Sequence, residues 1–224
     1  MHPDLIFLQE VQGQNALSEL SQFEYLAQEI WPHFTYGKNA VYEKSHHGNA
    51  ILSKYPILSW ENIDLSTNRV ERRGLLHALI QLPWQSTKIH TFCTHLDLSE
   101  RGRKKQLASL SSRIHQLTSS QEPLLLAGDF NDWRQSAHTV LERDLALQEV
   151  FRCLKGECPK TFPSFFPMLA LDRIYFRGVE PSYAQILSGY PWKKLSDHLP
   201  LAAEFRIRFK APGPGFSTDG IFSS

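Results

Sequence analysis

The sequence predicts an α/β fold built from two packed, mixed β-sheets with helices on their outer faces. Three observations lead there. Eight to ten short apolar or alternating runs, separated by Gly, Pro, Asn and Ser, read as strands, whereas only two long stretches carry helical periodicity. So few helices cannot supply the crossovers of a strictly alternating doubly wound sheet. The composition, 224 residues with 42% hydrophobic and 21% charged, is globular. A chain of that length buries about 70% of its unfolded surface without needing a disulfide or metal to fold.

The elements follow in order. Residues 4–10 (DLIFLQE) form an apolar run that ends in polar side chains, as a buried strand does. Leu17, Leu20, Phe23, Ala27 and Ile30 recur at helical spacing until Pro32 stops them. Strands are expected at 35–42, 49–52, 75–82 and 88–96. Ser99 is a natural N-cap for a helix over 100–117, with Leu107, Leu110, Ile114 and Leu117 on one face. Residues 123–129 (PLLLAGD) read as a buried strand, 137–145 as a short helix, and 171–176 and 199–209 as closing strands. One domain over 1–209 is expected, followed by a Gly- and Pro-containing tail, 210–224, expected to be disordered.

Composition also narrows the function. Lys plus Arg is 24 and Asp plus Glu is 23, a net charge of +1, which excludes a protein held to DNA mainly by bulk charge. Cys93, Cys153 and Cys158 include no CxxC pair and make no disulfide framework, as suits a reducing compartment. No run approaches the roughly 20 apolar residues of a membrane span, and MHPDLIFLQE does not read as a signal peptide. A cytoplasmic monomer with no stable protein partner is the expectation.

The chemistry gathers at strand ends. Glu10 follows FLQ, His95 follows FCT, Asp129 and Asn131 follow LLLAG, Asp172 opens DRIYF, and Asp197 and His198 precede LPLAAEF. Singly, each reads as a cap or a turn residue. Together, on one edge of a sheet, they converge on a single cleft. Carboxylates, an amide and imidazoles are the set that metal-assisted hydrolysis of phosphate esters requires. Zinc bound by His95 and His198 would need a third protein ligand, and no HxxxH or HxH spacing supplies one.

With PDLIFLQEV at 3–11, GNAILSKYPI at 48–57, THLDL at 94–98, LLLAGDFND at 124–132, LDRIYF at 171–176 and SDHLPLAAEF at 196–205, the chain resembles the endonuclease/exonuclease/phosphatase superfamily. That resemblance implies a four-layered α/β sandwich and a Mg²⁺- or Mn²⁺-dependent phosphoesterase, most simply a phosphodiesterase acting on nucleic acid or phospholipid head groups. It implies Glu10 and Asp197 in the metal region and Asp129 as the residue that orients or deprotonates water. Asn131, His198 and His95 would then lie at the phosphate, with Asp172 orienting His198. It also implies an opening strand that ends in asparagine before PDLIFLQE. With Met1 two residues ahead of Pro3, that first core strand is expected to be missing, from a shortened or misassigned start. A catalytically impaired member that binds a phosphate ligand or a partner is the alternative.

Substrate signals are weaker. Arg72 and Arg73, with Arg69, can clamp phosphate or form an exposed basic turn. Arg101, Arg103, Lys104 and Lys105 read equally as a phosphate track or a solvated helical turn. Segment 161–169 (TFPSFFPML) can stack bases or meet lipid, with core packing as the default expectation. Trp133 is expected near the cleft, and His46 and His47 in a solvated loop.

Overall fold

The structure, a computed structural model, describes residues 2–14, 22–41, 45–68, 71–84 and 87–207. The expected tail and Arg69 lie outside the described residues. In chain order the elements are β1 (Leu5–Gln14), α1 (Gln22–Ile30), β2 (His33–Val41), β3 (Ser45–Ser53), β4 (Ile57–Asp64), β5 (Gly74–Gln81), β6 (Lys88–His95) and α2 (Glu100–Leu117). They continue with β7 (Leu124–Asp129), α3 (Ser136–Leu145), β8 (Gln148–Glu149), α4 (Val150–Lys155), β9 (Asp172–Arg177), β10 (Glu180–Ile186), α5 (Trp192–Leu195) and β11 (Leu201–Arg206).

Period-two alternation sorts the side chains into layers. One sheet has six strands in the order β4-β5-β6-β7-β9-β8, with a parallel pairing only between β6 and β7. Its helix-facing side chains, among them Leu75, Phe92, Leu124 and Leu126, pack on Leu107, Leu110 and Ile114 of α2 and on Leu141 of α3. Its other face presents Leu76, Ala78, Ile80, Cys93 and Leu125, which meet Ile51, Phe7, Leu201 and Phe205 in a central core. Those partners come from a three-stranded sheet, β1-β3-β2, and a two-stranded one, β10-β11. On the far side, Val11, Ala50 and Leu52 bury against Ala27 of α1 and the adjoining Trp31. The order helix, sheet, sheet, helix is the expected four-layered sandwich. β1 and β11 are edge strands of their sheets, yet both send side chains into the same central core.

Helix α2 begins as its sequence dictates: the Ser99 hydroxyl accepts from the Gly102 amide at 3.1 Å, and Glu100 favours the positive helix end. Three expectations need correction. His46 and His47 lie in β3 rather than in a loop, and His46 is buried beside Tyr36, 2.8 Å from its hydroxyl. Strand β1 runs to Gln14, four residues past Glu10, because a bulge re-aims the chain there instead of ending it. Closing strand β11 ends at Arg206 and begins at Leu201. Among the described residues no helix is long and apolar enough to cross a membrane.

The six-stranded sheet carries one polar pair in its apolar face. His77 and His90 stack at 5.2 Å, Phe92 stacks on His77 at 4.5 Å, and His77 Nε2 lies 3.0 Å from His90 Nδ1. Burial, with the charge of His90, pushes the His77 imidazole down to about 4, so the folded chain holds it neutral at pH 7. The unfolded chain protonates this ring near pH 6.5. Its stabilising effect is therefore complete above that pH and is lost as the pH falls through about 4. Wild type should lose about 3 kcal/mol more unfolding free energy than His77→Gln between pH 7.5 and pH 4. Urea denaturation at the two pH values checks this, and equal losses would contradict it.

Candidate active site

Three neighbouring strands end at one level. His95 of β6 pairs with Asp129 of β7, and Asp129 pairs with Asp172 of β9. A single rung across the sheet thus carries an imidazole and two carboxylates. Gly128 permits this: a Cβ there would stand 1.9 Å from the Thr94 carbonyl oxygen, and the residue's φ of 152° suits glycine. The chain then turns sharply. Asn131 takes a left-handed φ of 49°, which asparagine tolerates, and its backbone N–H donates to Asp129 Oδ1 at 2.8 Å. Next, Asp132 accepts from the Ala137 amide and the Ser136 hydroxyl, so it starts α3 where Gln135 offers no side-chain cap.

The opposite wall comes from the second sheet. Glu10 sits at the β1 bulge with φ 54°, a backbone state costing roughly 1–3 kcal/mol for a residue other than glycine. Gln9 donates to the Cys93 sulfur, and the Cys93 thiol donates to the Leu8 carbonyl, so β1 is fastened to β6 beside the site. Burial pushes that thiol up to about 12, which keeps it a donor. The Glu10 carboxylate therefore hangs into the cleft, 68% exposed, with Oε1 3.6 Å from His95 Nδ1 and 4.0 Å from the Arg73 guanidinium.

Charge divides unequally among the buried groups. Asp129 is 6% exposed, and burial, reinforced by Asp172, lifts its carboxyl up to about 6. Burial opposes the charge on His198. The 2.8 Å hydrogen bond from Nδ1 to Asp172 and the carboxylates of Asp172, Asp129 and Asp197 outweigh it, lifting the ring up to about 9. That ring is an imidazolium at neutral pH, with Nε2 4.0 Å from Asp129 Oδ2. His95 goes the other way: burial, Arg73 and His198 push it down to about 3. Arg73 can only donate, so at 3.1 Å it claims the one lone pair of the neutral ring, on Nδ1. Nε2 then carries the proton, facing Asp129 Oδ2 at 3.5 Å; the Asn131 amide nitrogen, 3.2 Å away, is itself a donor and is satisfied by the Leu96 carbonyl at 2.9 Å instead.

Beside this cluster lies a polar cavity of about 200 Å³ lined by Glu10, Asn39, His47, Asn49, Glu71, Arg72, Arg73 and His95. Arg72 is exposed there, whereas Arg73 is largely buried and paired with Glu71 at 2.5 Å. Among the described residues no three His, Cys, Asp or Glu side chains converge to hold a metal. A Mg²⁺ ion commonly needs only one or two carboxylates, with water and substrate phosphate completing its octahedron. Glu10 offers hard oxygen donors suited to such an ion, and Asp197 adds an exposed carboxylate next to His198.

The structure thus brings Glu10, Arg73, His95, Asp129, Asn131, Asp172 and His198 around one cleft. It draws in Glu71 and Thr161 as well, which sequence reasoning missed: Glu71 holds Arg73, and the Thr161 hydroxyl donates to Asp172. Other expectations are revised. Arg103 is buried, donating to the Asp97 and Leu98 carbonyls, so the basic cluster does not form one phosphate track. Trp133 lies under the Arg103 guanidinium at 4.6 Å, outside the cavity wall. Segment 161–169 splits: Phe162 packs 4.9 Å from the His198 ring, whereas Phe165 and Phe166 are exposed rather than core.

Known proteins share this family and this fold. A model of the Endonuclease/Exonuclease/phosphatase family matches residues 1–198. The chain is 43% identical over 212 residues to YbhP of Escherichia coli (strain K12), covering 91% of this chain and 83% of that protein. In structure it is similar to the endonuclease/exonuclease/phosphatase from Bacteroides vulgatus, with TM-score 0.73, 20% identity, and 92% and 85% of the two chains covered. It is also similar to D. rerio TDP2 complexed with a single-strand DNA product, with TM-score 0.68, 21% identity, and 91% and 86% covered.

The assignment of the His198 charge is directly measurable. Asp172→Asn removes the hydrogen-bonded carboxylate, so the His198 titration followed by NMR should move from about 9 toward the ordinary imidazole value near 6.5. A titration that stays in place would contradict the role given to Asp172.

Proposed function

The chain belongs to the endonuclease/exonuclease/phosphatase family, and from that premise we propose that it is a Mg²⁺- or Mn²⁺-dependent phosphodiesterase in which water attacks phosphorus. The observation that carries this reading is the single rung of His95, Asp129 and Asp172, closed by His198 on Asp172. It places a carboxylate raised to about 6 opposite an imidazolium raised to about 9, an acceptor and a donor that coexist at neutral pH.

Each residue then has a task. Asp129, ionised above about pH 6, accepts the proton of the attacking water. His198 presents its Nε2–H to a phosphoryl oxygen and offsets the charge that develops there, with Asp172 holding its other nitrogen. Asn131, fixed by its own turn and by the Leu96 carbonyl, holds the phosphate beside Asp129. His95, neutral and protonated on Nε2, adds a second donor without adding charge. Glu10 and Asp197 would hold the divalent ion, which neutralises charge on a phosphoryl oxygen when bound. Arg72, exposed on the cavity wall, would meet a flanking phosphate. The product-bound TDP2 neighbour supports a phosphodiester substrate as a class.

Hydrolysis of bis-p-nitrophenyl phosphate tests the reading. Wild type should turn over with Mg²⁺ or Mn²⁺ and stop with EDTA. Asp129→Ala and His198→Ala should each lower kcat at least ~100-fold. Full activity in either variant would remove its residue from the mechanism. A folded wild-type protein with no turnover would favour the phosphate-binding alternative.

A further inference from the structure

Two segments flanking the cleft are locked into one ridge. The turn over 162–169 closes on itself, with Met168 N and Leu169 N both donating to the Phe162 carbonyl at 2.9 Å. The second segment, 189–196, contains α5. Buried Ser164 joins the two: its amide donates to the Asp197 carbonyl at 2.7 Å and its hydroxyl to the Ser196 carbonyl at 2.8 Å. At the base of the ridge, Phe162 packs on His198 and Thr161 donates to Asp172. The ridge therefore stands beside the reacting groups.

Its crest is apolar and positively charged. Phe165 (75%), Phe166 (64%), Met168, Tyr190 (85%) and Leu195 are all exposed on these two short segments. Apolar side chains concentrated in this way mark an interaction surface. Lys193 and Lys194 are exposed beside them, Lys160 stands at the root, and the only acid of residues 159–169 and 187–197 is Asp197 of the site.

We propose that this ridge docks the protein on anionic lipid membranes and presents phospholipid head groups to the adjoining cleft. Aromatic and aliphatic side chains enter the boundary between head groups and acyl chains, while lysines beside them meet anionic lipid. Nucleic acid fits less well, because Met168 and Leu195 cannot stack on bases and the cations are lysines with no arginine. A second copy fits less well too, since lysines would face lysines across a twofold axis. The substrate part of the proposal rests on the phosphodiesterase reading. Docking itself does not, so the two fail separately.

Vesicle flotation tests the docking. The protein should float with vesicles rich in phosphatidylglycerol, float much less with pure phosphatidylcholine, and be released by salt. Phe165→Ser/Phe166→Ser should reduce partitioning at least ~10-fold, and Lys193→Glu/Lys194→Glu should abolish the preference for anionic vesicles. Both pairs are exposed, so unchanged circular dichroism and unchanged hydrolysis of bis-p-nitrophenyl phosphate by the Phe165→Ser/Phe166→Ser variant would show an intact fold and site. Absence of vesicle binding, or binding indifferent to both double variants, overturns the proposal. So does a single-stranded oligonucleotide or a dimer that needs Phe165 and Phe166 when vesicles do not. Vesicle binding without turnover of any phosphodiester would keep the docking and remove the phosphodiesterase reading.

Discussion

The lateral register of β6, β7 and β9 is the constraint on which the site depends. It sets His95, Asp129 and Asp172 on one rung, and backbone hydrogen bonds hold it on both sides of β7. Leu96 N donates to the Asp129 carbonyl and Phe130 N to the Leu171 carbonyl, so the ladder continues one step past the strand ends. Because side chains alternate faces, a slip of one residue would turn Asp129 away from the cleft. The alternating leucines of β7, which fill two different cores, make that slip costly. The packing that stabilises the sheet is thus also what aims the side chains of this rung into the cleft.

Within that frame, similar side chains acquire opposite states from their partners. His95 and His198 face the same carboxylate, yet one is kept neutral and the other charged. Burial opposes the charge on both. The difference is that Arg73 faces the first and Asp172 the second. The second sheet contributes through the bulge at Glu10, and the Gln9–Cys93–Leu8 contacts fix how far that carboxylate reaches across the gap.

Much of this was legible in the sequence because it is local. The PLLLAGDFND run contains its own strand, its required glycine, its turn asparagine and the aspartate that starts the next helix. Helix α2 and its Ser99 cap were readable for the same reason. Strands β4 and β10 were not, since β4 is a half-exposed strand rich in polar residues at a sheet edge and β10 opens on Glu-Pro; neither carries a sustained apolar alternation. The hold of Glu71 and Arg73 on His95 was equally hidden, because it exists only once β5 pairs with β6. The phenylalanines of 162–166 looked uniformly apolar, and only tertiary contacts separate the one against His198 from the two on the crest.

In the proposed mechanism Asp129 works ionised and His198 protonated, and the pH dependence of kcat/KM on a soluble phosphodiester reads both states in one experiment. The expected profile is a bell: activity rises through about pH 6 as Asp129 ionises and falls through about pH 9 as His198 loses its proton. In Asp172→Asn the upper limb should move to lower pH while the lower limb remains. A profile without an acid limb, or an upper limb indifferent to Asp172, would contradict the assignment of base and donor.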